Sequence, residues 1–120
     1  MDKFDIIVVG GGLAGSSFAS TMSKSGFNVL ILETTTEFKD RARGECILPW
    51  GIVHAKELGI YETLLTVGEE LAYGNSRIGY PEKTLLASRR DFLKTTPFKN
   101  GCVSFFHPHM QQAMLTYAMS

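Results

Sequence analysis

Residues 5–33 read DIIVVGGGLAGSSFASTMSKSGFNVLILE, and the fold is decided within them. Ile6, Ile7, Val8 and Val9 run on without alternation, the pattern of a strand buried on both faces of a parallel sheet. Gly10, Gly12 and Gly15 follow at GxGxxG spacing, and Ala14, Phe18 and Met22 then recur every fourth residue, marking the apolar stripe of a helix. Lys24 suits the negative end of that helix, and Gly26 is placed to close it in a left-handed cap. A second apolar run, NVLILE, stops on Glu33. Strand, turn, helix and strand make one right-handed crossover unit over 4–33.

Each part of this unit has a mechanical role. Gly10 lets the chain turn sharply off the strand. Gly12, having no side chain, lets a pyrophosphate approach the backbone N–H groups at the positive end of the helix, including those of Leu13 and Ala14. Gly15 permits close packing of helix on sheet. Glu33, at the tip of the second strand, is placed to accept hydrogen bonds from a ribose. The pattern therefore points to a dinucleotide, without deciding which one. A plain NAD-dependent dehydrogenase carries the same fingerprint.

Bulk properties narrow the remaining classes. In 120 residues, 12 Lys and Arg balance 12 Asp and Glu, giving a formal net charge of zero. Nucleic acid and anionic membranes call for a basic surface, so neither is an expected partner. The apolar fraction of 44% suits a globular chain. No apolar run is long enough to insert stably in a membrane. Cys46 and Cys102 lie far apart without CxxC spacing, which argues against a disulfide scaffold or a zinc site and suggests a reduced, cytoplasmic setting. No metal site is expected.

Beyond Glu33 the strand–helix alternation of simple dehydrogenases breaks off. A polar loop runs from Thr34 to Asp40, then come Arg41, Arg43 and the pair Gly44-Glu45. The sequence predicts a helix from near Pro49 to Gly59, with Ile60 as the apolar partner of its C-cap, so that 34–68 is loop and helix. The segments VVGGGLAGSSFA, VLILE, RARGECILPWGIVHAKELGI and HPHMQQAMLTYA together resemble the flavoprotein monooxygenase superfamily, the group that includes para-hydroxybenzoate hydroxylase, FAD-dependent halogenases and geranylgeranyl reductases.

This resemblance implies an α/β, Rossmann-like FAD-binding fold: a parallel sheet between helical layers, incomplete here, with a short β-hairpin region belonging to the substrate layer. It implies FAD as cofactor, NAD(P)H as reductant, a small organic substrate and oxygen activation as a flavin C4a-hydroperoxide. By position, Gly10, Gly12, Leu13, Ala14 and Gly15 would hold the pyrophosphate, and Glu33, with the adjoining Thr34, the adenosine ribose. Arg43 matches an arginine that reaches the cofactor in relatives, and a guanidinium can grip two phosphate oxygens together. Pairing with Glu37 or Asp40 at the surface is the alternative. Arg41 stands between the same two readings.

His107 occupies a position where relatives carry arginine or glutamine between a strand (103–106) and a helix (108–119). An imidazole can still donate to phosphate or ribose, and Gln111 lies one turn further on. Both His107 and His109 can equally be polar residues at a helix entry. Glu45 is either a cofactor-side acceptor or an exposed acid. Cys46 and Trp50 read as packing residues.

Residues 69–106 are β-rich in this reading, with turn signals at Gly74-Asn75 and Tyr80-Pro81 and a solvated SRRDFLK stretch. The last residues, AMLTYAMS, lie inside an amphipathic pattern, and no Gly-Asp motif of the kind that contacts flavin in relatives is present. The expectation is the first part of a longer flavoenzyme, in which this portion alone grips FAD weakly and does not turn over. A halogenase, an alkene reductase and a non-catalytic FAD-binding fragment are the alternatives.

Overall fold

A computed structural model describes residues 3–41, 44–80 and 83–120. Strand β1 (Ile6–Val9) leads through the glycine turn into helix α1 (Leu13–Lys24), which returns to β2 (Val29–Leu32). β1 and β2 pair in parallel, with Ile6 opposite Val29 and Val9 opposite Leu32. The crossover read from residues 5–33 is therefore formed.

Two details of that unit differ from the expectation. The buried face of α1 is Ser16, Ala19 and Ser20, whereas Ala14 is exposed and Phe18 is 49% exposed. The reason is closeness: small side chains let α1 lie against β1 on one side and the last helix on the other. The serines are tolerated there because each hydroxyl donates to a backbone carbonyl, Ser16 Oγ to Gly11 O at 2.9 Å and Ser20 Oγ to Ser17 O at 3.0 Å. The second difference concerns the sheet. Val8 is buried toward α1, but Ile7 is 59% and Val9 84% exposed, and Leu32, paired with Val9, is half exposed. One face of the parallel pair is thus covered and the other bare, so a third layer is not found among the described residues.

The main core lies elsewhere. Helix α2 (Pro49–Glu57) begins with proline in its first turn, where the missing N–H costs nothing. It ends at Gly59, whose φ of +68° places it in the left-handed region. Gly59 N–H donates to Lys56 O and Ile60 N–H to Ala55 O, a pair of bonds that satisfies carbonyls of the last turn and folds Ile60 back into the core. Helix α3 (Tyr61–Leu65) follows directly. Ile52, Ala55, Ile60, Leu64, Val103, Phe105, Met110 and Met114 pack together, with Leu13 and Tyr117 against their edge.

Val103 and Phe105 come from β7 (Cys102–Phe105), the middle strand of an antiparallel sheet ordered β3 (Cys46–Ile47), β7, β4 (Gly68–Leu71). Met110 and Met114 come from helix α5 (His107–Ala118), which packs between α1 and α3. Strands β5 (Tyr73–Tyr80) and β6 (Lys83–Asp91) form a separate antiparallel hairpin, in which Gly74 and Asn75 are strand residues rather than a turn. The SRRDFLK stretch ends β6 and opens the short helix α4 (Phe92–Thr95), where the Asp91 side chain accepts from Lys94 N–H. Trp50, 52% exposed, is not a core residue, and Cys46 is likewise exposed while Cys102 is buried. Among the described residues no helix is long and apolar enough to cross a membrane.

Candidate functional site

The site is built where β1, α1, the end of β2 and α5 meet. Gly10 leaves β1 with φ +102°, a conformation that side chains rarely adopt, and its N–H donates to Leu32 O at 2.7 Å. The turn brings Gly10 so close to α1 that a Cβ on Gly15 would sit 1.9 Å from Gly10 O and 3.2 Å from Val8 Cγ1. Gly15 is therefore required by the protein's own packing. Gly12 is different. A Cβ there would meet only Gln111 Nε2, at 3.8 Å, so the space above it is not needed by the fold.

Gly12 is also the N-cap of α1, with extended backbone and no side-chain hydrogen bond to the helix. The first-turn N–H groups, those of Leu13, Ala14 and Gly15, have no partner within the helix and lie at its positive end. An anion fits this spot on both counts.

Glu33 lies beside the turn. Its Oε2 accepts from Gly11 N–H at 2.7 Å and its Oε1 from Thr35 N–H at 2.7 Å. The Thr35 amide, then the Gly11 amide, then the Thr35 side chain favour the carboxylate and hold its pKa below the ordinary value of 4.5. Each oxygen keeps a further lone pair, so the group can bridge the glycine turn and a pair of ligand hydroxyls at once.

A polar cleft of about 90 Å³ adjoins this carboxylate, lined by Glu33, Thr35, Phe38, Lys39, Arg41, His107 and Gln111. It brings together Glu33, His107 and Gln111, three residues selected from the sequence, and Gln111 links it to Gly12. Arg41 lines the wall as well, while Arg43 lies outside the described residues. Thr34 is exposed and does not line the cleft, because successive residues of an extended chain point to opposite sides and Thr35 takes the inward place. Thr35, Phe38 and Lys39 had no signal in the sequence beyond belonging to a polar loop. The only hint was the alternation from Glu33 to Thr35.

His107 stands at the first residue of α5, its Nδ1 3.3 Å from Gly44 O. That contact fixes the imidazole against the loop before β3 and leaves its other nitrogen for a ligand. His109 stacks edge-on against Phe106 and is not a cleft residue. Among the described residues no group of three or more His, Cys, Asp or Glu is placed to hold a metal ion.

A cleft of this size takes part of a nucleotide rather than all of it, since sites that enclose whole small ligands run to about 300–1,000 Å³. Open amides at a helix tip, clear space over Gly12, a carboxylate with spare lone pairs and cationic Lys39 and Arg41 nearby suit linked phosphates joined to a sugar. Fold and site together have the form of a Rossmann-type unit.

Comparison with known proteins agrees. The family described as "NAD(P)-binding Rossmann-like domain" matches residues 8–64. Squalene monooxygenase SE2 of Panax ginseng is 33% identical over 85 residues, 64% of this chain and 16% of the relative. Squalene epoxidase erg1 of Schizosaccharomyces pombe is 31% identical over 83 residues, 64% of this chain and 18% of its own length. The chain thus spans under a fifth of the curated relatives it matches. Among solved structures, a flavoprotein/dehydrogenase of Cytophaga hutchinsonii superposes with a TM-score of 0.79 at 22% identity, covering 98% of this chain and 28% of that one. A myxobacterial chondrochloren halogenase, described as FAD-dependent, superposes with a TM-score of 0.71 at 25% identity, covering 97% and 26%. Aklavinone-11 hydroxylase, solved with FAD and aklavinone, gives 0.74 at 19% identity, covering 99% and 24%. Beyond the Rossmann-like fold, then, the chain is similar in sequence to part of the squalene monooxygenases and in fold to part of several flavoproteins.

Proposed function

We propose that this chain is the FAD-gripping portion of an oxidoreductase, most simply an NAD(P)H-dependent monooxygenase that inserts oxygen into a small organic substrate. The observation that carries the reading is the vacant space over Gly12 at an uncapped helix start, next to the Glu33 carboxylate. In this reading Gly10 and Gly15 shape the turn, and Gly12 with the amides of Leu13 and Ala14 receives the pyrophosphate. Glu33 accepts from the ribose hydroxyls, while Thr34 contributes only backbone. His107 and Gln111 donate from α5 across the cleft, and the guanidinium of Arg43, which lies outside the described residues, is assigned to phosphate by its chemistry alone.

When bound, the flavin supplies hydride acceptance and oxygen activation. The protein's share in this portion is positioning and charge: it fixes the cofactor's adenosine end and neutralises phosphate. The squalene monooxygenase relatives favour an apolar substrate that is epoxidised or hydroxylated. The two widely spaced cysteines, without CxxC spacing, favour a reduced, cytoplasmic compartment. A halogenase is the second reading, favoured by the FAD-dependent halogenase among the structural neighbours.

The test is a titration of FAD against the protein, following the quenching of flavin fluorescence. Saturable quenching that Gly12→Val abolishes, with stability lowered by no more than the loss of the glycine N-cap explains, about 1 kcal/mol, supports the assignment. Equal quenching by wild type and Gly12→Val overturns it. NAD competing as strongly as FAD favours a dehydrogenase instead.

A further inference from the structure

The buried face of α1 carries two serines, and they bond differently. Ser20 Oγ donates to Ser17 O, three residues back, and Ser17, Thr21 and Ser25 each donate to a carbonyl four residues back, the ordinary local bond of a hydroxyl within a helix. Ser16 Oγ instead reaches five residues back, beyond the N-cap Gly12, and donates to Gly11 O at 2.9 Å. Ser16 is fully buried, and its own N–H donates to Gly12 O at 2.9 Å. One residue therefore holds the carbonyls of two successive peptides in the glycine turn.

From this geometry we propose that Ser16 is a positioning residue for the phosphate site, an inference that rests on the reading of the turn as a grip for a nucleotide pyrophosphate. A trans peptide points its N–H opposite to its C=O. With Gly11 O turned in to the Ser16 hydroxyl, Gly12 N–H points away from Ser16 and the buried face of α1. With Gly12 O turned along the helix to Ser16 N–H, Leu13 N–H points out of the helix start. Among the described residues Gly12 N–H has no hydrogen-bond partner, and a Cβ on Gly12 would meet only Gln111 Nε2. The bond to Gly12 O belongs to any helix. The bond to Gly11 O exists only because position 16 carries a hydroxyl.

The lock matters because the peptide it holds joins two glycines. Flipping that peptide changes ψ of Gly11 and φ of Gly12, and a chain without Cβ on either side resists the rotation least. A flipped peptide would present Gly11 O, rather than Gly12 N–H, to an incoming phosphate, setting acceptor against acceptor. Gly11 is buried, so without the hydroxyl its carbonyl would stay unpaired in place, and a flip toward water would relieve it. Glu33 fixes only the preceding peptide, through Gly11 N–H at 2.7 Å. Ser16 thus sets which end of the Gly11–Gly12 peptide dipole meets the ligand, without touching the ligand itself.

The experiment incorporates isotope-labelled glycine and titrates the protein with adenosine and with ADP, reading dissociation constants and the Gly12 amide resonance by NMR. The ratio of the two constants isolates what the pyrophosphate adds. In Ser16→Ala that ratio should fall on the order of 10-fold, with adenosine bound as in wild type, and ADP should no longer shift the Gly12 amide as it does in wild type. Ser16→Cys, which keeps the bulk but donates only weakly, should lose the same preference. Ser20→Ala, on the same buried face, should keep the wild-type ratio. An unchanged ratio in Ser16→Ala, or equal losses in Ser16→Ala and Ser20→Ala, would overturn the proposal. A wild type that binds ADP no more tightly than adenosine would instead overturn the phosphate reading of the turn on which the proposal rests.

Discussion

Two glycines in one short turn should respond unequally to the same substitution. A methyl group on Gly15 would lie 1.9 Å from the Gly10 carbonyl oxygen and must recede by about 1.5 Å to reach ordinary contact at 3.4 Å. The atom it meets is backbone at the end of β1, so no rotamer change relieves the clash, and helix and strand must part. Overpacking of this kind costs about 1–3 kcal/mol, here toward the upper end because the obstruction is rigid. Alanine regains up to about 1 kcal/mol of helix propensity over glycine, leaving a net loss of about 2 kcal/mol for Gly15→Ala. For a chain of this length, that corresponds to a melting temperature lower by roughly 8 °C. Gly12→Ala adds a methyl 3.8 Å from Gln111 Nε2, at a φ of −69° that any residue adopts, so only the poorer N-cap preference of alanine counts against it. That preference is worth about 1 kcal/mol or less. Thermal and urea unfolding followed by far-ultraviolet circular dichroism would separate the two. Gly15→Ala as stable as wild type, or equal losses in both variants, would refute the close-approach account of Gly15.

Glu33→Gln replaces an acceptor of two backbone N–H bonds by a group whose amide end must face either Gly11 or Thr35 donor to donor; FAD affinity measured by fluorescence quenching should fall on the order of 10- to 100-fold. Ile52→Ala empties a fully buried position among α2, α3 and α5 and should lower the urea-derived stability by about 2–5 kcal/mol. Glu33, held by the Thr35 and Gly11 amides, and Glu70, held by the Tyr61 hydroxyl, both have pKa values below the ordinary 4.5. Their contribution to stability is complete above about pH 4.5 and is lost as pH falls through their folded-state values, so urea midpoints should drop in acid, and less steeply in Glu33→Gln or Glu70→Gln. Tyr61 has the opposite sign: burial and Glu70 raise it to about 12, so its contribution is complete below about pH 10 and lost as pH rises through about 12, which Tyr61→Phe should abolish in alkaline unfolding curves.

What could be read in the sequence were the features set by local backbone constraint. The glycine turn, the acid closing β2 and the left-handed stop at Gly59 each depend on a few adjacent residues and appear where their chemistry requires. The buried face of α1 could not be read from apolar spacing, because a helix squeezed between two elements buries its smallest residues, and Ser16, Ala19 and Ser20 form no hydrophobic stripe. The continuous run of β1 predicted cover on two faces, but such a run reports what the strand tolerates, not what lies within a given stretch of chain. Pairing of Cys46 with Ser104 is a long-range choice with no local signal. In the candidate site Glu33, directly after β2, and His107 and Gln111, on α5, could be singled out from the sequence and line one cleft. The loop residues Thr35, Phe38 and Lys39 could not, since an irregular segment has no period to reveal which side faces inward.

The ribbon formed by Ile7, Val9 and Leu32 has a practical side. Oily side chains standing in water make a polypeptide sensitive to salting-out, so ammonium sulfate should precipitate it at low concentration, and warming from the cold should worsen clouding. Placing a lysine at Val9, which is 84% exposed, offers a simple handle for raising the concentration at which samples stay clear.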